Sequence, residues 1–313
     1  MNQRKLRSNI MLISAAMIWG FAFVAQSVGM DYVGPFTFNA VRIFIAGIVL
    51  VLYILWRNFL DKRNKVETII VTTVNKKKLI AGGVLCGIAL FAASSLQQIG
   101  LQYTTAGKAG FLTTLYIVIV PLLGVFNRKR ASGKVWFGIV IAITGMYLLC
   151  INEGFSINKG DLLVILCAVV FSLHILIIDH YSPLVDGVIM SCIQFFTCGV
   201  LSIIPMMILE QPEIASILEA WIPILYSGAL SGGVAYTLQI IGQKGTDPSV
   251  SSLLLSLESV FAALGGFIIL GETFTGRELI GSLLIFSAVI ITQLPERRIL
   301  MFNNEQRKDV YKS

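Results

Sequence analysis

The sequence predicts an all-α polytopic membrane protein: ten transmembrane helices arranged as two inverted five-helix repeats. Three observations carry this reading. Apolar runs long enough to cross a bilayer recur along the chain, basic residues collect in alternate loops, and a mixed polar and apolar segment of the first half returns in the second.

Of the 313 residues, 56% are hydrophobic and 13% charged. A soluble domain carries about 25% charged residues, so the chain does not read as two water-soluble domains. About 20 apolar residues suffice to cross the hydrocarbon core as a helix. The runs lie at 10–30, 36–56, 79–102, 108–127, 134–151, 160–180, 187–208, 221–242, 249–270 and 278–294. Backbone groups in lipid must be bonded within the protein, and the period-2 alternation of a membrane barrel is absent, so these are helices.

The first run follows Arg4, Lys5 and Arg7 and resembles a secretory leader at its start. It is long enough to span, and it carries Trp19-Gly20 and Gln26, which suit a permanent helix. Pro121 and Pro205 fall inside the fourth and seventh runs, where they kink a helix. Gly83-x-x-x-Gly87 and Gly228-x-x-x-Gly232 permit close helix contact. The five cysteines, Cys86, Cys150, Cys167, Cys192 and Cys198, lie in or beside apolar runs, with no Cys-x-x-Cys pair. They read as packing residues, and neither a metal nor any other cofactor is expected.

Loop charge sets the orientation. With the N-terminus in the cytoplasm, twenty Lys and Arg residues fall in inside segments, and only Lys108, Lys159 and Arg277 fall outside. The densest inside stretch runs from Arg57 to Lys78, while the segment holding Glu210, Glu213 and Glu219 falls outside. Positive charge retained in the cytoplasm explains this asymmetry and the net charge of +7. A nucleic-acid surface would need basic patches interleaved with aromatic residues, and none is present. The expectation is an integral protein of the cell membrane with both termini cytoplasmic.

The repeat is legible in Leu96-Gln97-Gln98-Ile99-Gly100, which matches Leu238-Gln239-Ile240-Ile241-Gly242 at an offset of 142. The same offset aligns Thr104 with Thr246, Leu115 with Leu257 and Gly124 with Gly266. Earlier, an offset of 152 aligns Ala16 with Ala168, Arg42 with Gln194 and Gly47 with Gly199. The expected units are 10–151, 160–294 and a cytoplasmic tail over 295–313. Five spans per unit is an odd number, so the second unit is inverted relative to the first. Inverted repeats that rock about a midplane site are a transporter architecture.

Trp19-Gly20, the segment Leu257-Glu258-Ser259-Val260-Phe261-Ala262-Ala263-Leu264-Gly265-Gly266, then Gly271-Glu272 and Gly281, give the chain a family likeness. Over nearly its whole length it resembles the EamA-type drug/metabolite transporters. Ser259 stands where that family often has proline, and Phe171-Ser172 stands where the second half would repeat Trp-Gly. The resemblance implies a secondary transporter for small metabolites such as amino acids, working in efflux by alternating access, with the proton gradient as its drive. A multidrug or nucleotide-sugar carrier of the same fold is the alternative. An intramembrane enzyme or a channel is more remote: there is no His-Glu-x-x-His, no Gly-x-Ser-x-Gly and no phosphate-binding Gly-Lys-Ser/Thr loop. The expected partners are a small-molecule substrate, lipid and protons. Monomer and homodimer both remain open.

Glu258 is the leading site candidate. About nine residues into its helix it lies ~13 Å deep, where an ionisable group is costly and faces a cavity or a partner. Gln97, Gln98, Tyr236 and Gln239 come next, because the repeat places their two helices on opposite flanks of one cavity. Interhelical hydrogen bonding, worth about 1 kcal/mol or less, is the structural alternative. Arg42 either snorkels to the outer surface or meets a substrate carboxylate or Glu272. His174 is a candidate titrating group or a packing residue. Trp19, Phe23 and Tyr116 are candidate aromatic walls.

Overall fold

The computed structural model describes residues 3–63, 76–104, 106–126, 131–150, 158–244, 246–270 and 275–293. The helices are α1 (Gln3–Gly29), α2 (Pro35–Arg63), α3 (Lys76–Leu101), α4 (Ala106–Thr113), α5 (Tyr116–Phe126), α6 (Gly133–Cys150), α7 (Lys159–Tyr181) and α8 (Gly187–Leu209). They continue with α9 (Ile214–Glu219), α10 (Trp221–Leu225), a π-helical stretch Tyr226–Tyr236, α11 (Thr237–Gln243), α12 (Pro248–Leu255), α13 (Glu258–Leu270) and α14 (Gly276–Gln293). Among the described residues, seven helices are long and apolar enough to span a membrane; three shorter apolar ones cover Ala109–Gly124, Gly133–Leu148 and Leu279–Thr292. The fourth span is α4 with α5, the eighth runs from α10 through the π-helix to α11, and the ninth is α12 with α13. The tail from 295 onward, Glu272 and most of the basic stretch after Arg63 lie outside the described residues.

Large apolar side chains such as Leu55, Phe59, Ile208 and Ile268 are exposed on the outer surface. Water would not tolerate so broad an apolar face, and a bilayer requires one.

The inverted symmetry is written in the contacts. Phe44 and Phe196 meet edge-on where α2 crosses α8, with centroids 6.3 Å apart. Each also covers a glycine of the opposite helix: a Cβ on Gly47 would stand 3.2 Å from the Phe196 ring, and one on Gly199 would stand 3.1 Å from the Phe44 ring. All four residues are exchanged by the 152 offset. Likewise Gly100 seats α3 against Val164 and the Gly160 carbonyl of α7, and Gly242 seats α11 against Leu12 and the Ser8 carbonyl of α1. The glycines match at 142, their neighbours at 152.

The π-helix follows from the same comparison. Gly87 packs on Gln194 and Thr197, and Gly228 packs on their counterparts Arg42 and Ile45. Gly87 and Gly228 are therefore equivalent at an offset of 141, whereas Gly100 and Gly242 are equivalent at 142. The eighth span holds one extra residue between these contacts. A helix absorbs it by widening its hydrogen-bonding step, which is what the eleven-residue π stretch does.

Both corners where α2 meets α8 are closed by a carboxylate on helix N-terminal amides. Glu210, after α8, accepts from Phe36 N at 2.9 Å and Thr37 N at 2.7 Å. Asp186 accepts from Val188 N at 2.9 Å and Ile189 N at 3.1 Å, and is paired with Arg57 of α2 at 3.2 Å. Each carboxylate satisfies orphan donors and opposes the positive end of the helix dipole.

Candidate substrate cavity

The fourth and ninth spans break at equivalent points. α4 ends at Thr113 and α5 starts at Tyr116; α12 ends at Leu255 and α13 starts at Glu258. Both breaks are made the same way. Thr114 Oγ1 donates to the Phe111 carbonyl and Ser256 Oγ to the Leu253 carbonyl, each at 2.8 Å. Backbone bonds then tighten to the i→i−3 step: Ile117 N to Thr114 O at 3.0 Å, and Ser259 N to Ser256 O at 3.2 Å. A hydroxyl that bonds its own turn competes with the helical ladder. The result exposes the start of a new helix in mid-bundle on each side.

Tyr116 and Glu258 occupy those two starts. The Tyr116 hydroxyl donates to Glu258 Oε1 at 3.0 Å, and both side chains are buried. Glu258 lies in the first turn of α13, where the helix dipole favours an anion.

Around this pair lies a cavity lined by Trp19, Phe23 and Gln26 of α1, Arg42 of α2, Gln97 of α3, Thr113 and Tyr116 of the fourth span, and Phe171 and Ile175 of α7. Ser231, Tyr236, Gln239, Leu255 and Glu258 complete it. Most of the lining forms repeat-related couples: Trp19 with Phe171, Phe23 with Ile175, Gln97 with Gln239, Thr113 with Leu255, and Tyr116 with Glu258. The cavity therefore sits across the axis that relates the two halves. Trp19 packs on Tyr236 with ring centroids 4.7 Å apart, and its indole N–H donates to the Ser231 carbonyl at 3.1 Å. That carbonyl lies within the π-helix.

Arg42 is 4% exposed and does not snorkel. Its Nε and Nη2 donate to Asn39 Oδ1 at 3.2 and 3.0 Å. Asn39 in turn donates to Ser94 and Ser202 at 3.0 and 3.1 Å. The guanidinium is thus carried into the bundle on a polar chain, and the cavity is lined by one basic and one acidic side chain, Arg42 and Glu258.

Of the sequence candidates, Trp19, Arg42, Gln97, Tyr116, Tyr236, Gln239 and Glu258 line this one cavity, as does Phe23. Gln98 and His174 are buried outside the lining. Gln98 Nε2 points to Met30 Sδ at 3.3 Å. His174 Nε2 meets Gln194 Oε1 at 3.0 Å, and its ring stands edge-on to Tyr236 at 6.0 Å and to Phe171 at 6.3 Å. It backs two lining residues. Because Gln194 is the repeat equivalent of Arg42, the second half holds the His174–Gln194 pair where the first holds Arg42 bonded to Asn39. Arg277 lies over the Tyr147 ring at 5.4 Å. Gln26, Thr113, Phe171, Ile175, Ser231 and Leu255 are not among those candidates; the 152 offset applied to Trp19 and Phe23 finds Phe171 and Ile175.

The profile of the EamA-like transporter family matches residues 6–151 and again residues 158–294. The chain belongs to the EamA-like transporter family. An uncharacterized transporter of Archaeoglobus fulgidus is 31% identical over 297 residues, covering 93% of this chain and 87% of that protein. The uncharacterized transporter YoaV of Bacillus subtilis is 24% identical, covering 90% of this chain and 94% of its own length. A WAT1-related chloroplastic protein of Arabidopsis thaliana is 25% identical over 91% of this chain and 69% of that protein. A crystal structure at 18% identity superposes with a TM-score of 0.74, covering 91% of this chain and 96% of the other, which shows the fold alone. As an EamA-like protein, the chain is an integral membrane transporter of the drug/metabolite type.

Proposed function

We propose that this EamA-like transporter moves small amino-acid-like metabolites out across the cytoplasmic membrane by alternating access, with Glu258 exchanging a proton during the cycle. The observation that carries the reading is the contact of Tyr116 with Glu258 at the two helix breaks, inside a cavity that also holds Arg42. A zwitterion satisfies both charges: its carboxylate faces the guanidinium and its ammonium the carboxylate. Gln97 and Gln239 bind polar groups without adding charge, and Trp19, Tyr236 and Phe171 enclose an apolar side chain. When the zwitterion leaves, a proton on Glu258 replaces the ammonium and spares a bare charge at bilayer depth. Both termini lie in the cytoplasm by the charge of the loops.

The test uses protein reconstituted into vesicles preloaded with a labelled mixture of amino acids, with an imposed pH gradient. The expected result is gradient-dependent movement of one or a few members of the mixture. Movement of none, with well-folded protein, would count against this substrate class.

A further inference from the structure

The two repeats treat one couple of lining positions differently. In the first, Gln97 donates through Nε2 to Thr113 Oγ1 at 3.2 Å. In the second, Gln239 holds the place of Gln97 and is 2% exposed. The place of Thr113 is taken by Leu255, which offers no hydrogen-bonding atom. Gln239 Oε1 is buried without a partner. Buried polar groups are rarely left unpaired, and such an orphan calls for an explanation. A second lining amide shows the same polarity: Gln26 spends its N–H on the Ala22 carbonyl at 3.1 Å and leaves Oε1 buried and unpaired. With Glu258 on the same cavity, the spare capacity of these side chains is for donors.

We propose that the side-chain carbonyl of Gln239, buried without a partner beside Leu255, is the acceptor that reads an N–H of the transported molecule, and so selects substrates with an unsubstituted amine head. This rests on the reading of the cavity as the transport site. A positive charge alone would satisfy Glu258. An N–H pointed at Gln239 adds a directional requirement that a quaternary ammonium cannot meet.

The test measures binding by thermal shift of the purified full chain. The probes are L-leucine, isopentylamine (leucine without its carboxylate) and the N-trimethyl form of each. Each probe keeps its positive charge on methylation and loses every N–H. The parent is expected to prefer the amines, and Gln239→Leu is expected to reduce that preference about tenfold. Leu255→Thr, which places a hydroxyl able to donate to the Gln239 carbonyl, should do the same. It carries the test if Gln239→Leu does not fold. A preference unchanged in the folded variants is a steric effect of the methyl groups and overturns the proposal. If isopentylamine shows the Gln239-dependent preference and leucine does not bind, the proposal stands and the amino-acid reading falls. If no probe binds the parent, both fall.

Discussion

Tyr116 and Glu258 are equivalent residues of the two repeats, and they touch: the phenol of one donates to the carboxylate of the other at 3.0 Å. Each begins the helix that follows a break in its span. A contact between repeat equivalents lies on the axis that relates the two halves.

Tyr116→Phe keeps the ring and removes the donor. The variant should fold, because the loss is one hydrogen bond, about 0.5–1.5 kcal/mol. Its transport rate should change more than its melting temperature. Parallel measurement of vesicle uptake and thermal unfolding checks this. A fall in stability with normal uptake per folded molecule would make the contact structural only.

Topology is open to labelling. On a cysteine-free background, Lys77→Cys should be protected from a membrane-impermeant thiol reagent in intact cells and should react after permeabilisation. Reaction in intact cells contradicts cytoplasmic termini.

The helix contacts predict their own sensitivity. Gly242→Val places methyl groups against Leu12 and the Ser8 carbonyl, where a Cβ already comes within 3.0 and 3.1 Å. Overpacking of this kind costs about 1–3 kcal/mol, and Gly100→Val should behave alike because it disturbs the equivalent crossing. Gly133→Val serves as the control, since nothing stands within 4 Å of its Cβ. Equal melting temperatures for all three variants would contradict the packing described.

Trp19→Phe preserves the aromatic wall and removes the indole donor to the Ser231 carbonyl. The expected loss of stability is about 0.5–1.5 kcal/mol, seen as a lower melting temperature. No change would mean that the π-helical carbonyl finds another donor.

Much of this fold is legible in the sequence because lipid leaves few options: apolar length and the Gln-x-Ile-Gly repeat each report a single constraint. The two breaks are harder to read. Thr114 and Ser256 stand in unremarkable apolar surroundings, and only the pairing of hydroxyl to carbonyl marks them. The π-helix is hidden as well, since an extra residue in a helix shows only when the contacts on both sides are compared. Glu258 announces itself as an acid in an apolar run. Its partner does not: Tyr116 reads as an aromatic wall until the repeat offset is applied to Glu258. Gln98 illustrates the limit of the motif, for it belongs to the repeated segment yet turns to Met30, because neighbouring positions on a helix face in different directions.

The central claim, that Glu258 couples transport to protons, is tested most directly by uptake into vesicles across a range of pH with the parent and Glu258→Gln, alongside their melting temperatures. Glutamine keeps the size of the side chain and an acceptor for the Tyr116 hydroxyl, and removes the ionisable group. The account predicts a well-folded variant that binds or exchanges substrate and whose residual transport no longer responds to pH. A well-folded variant whose transport follows pH as the parent does would contradict it.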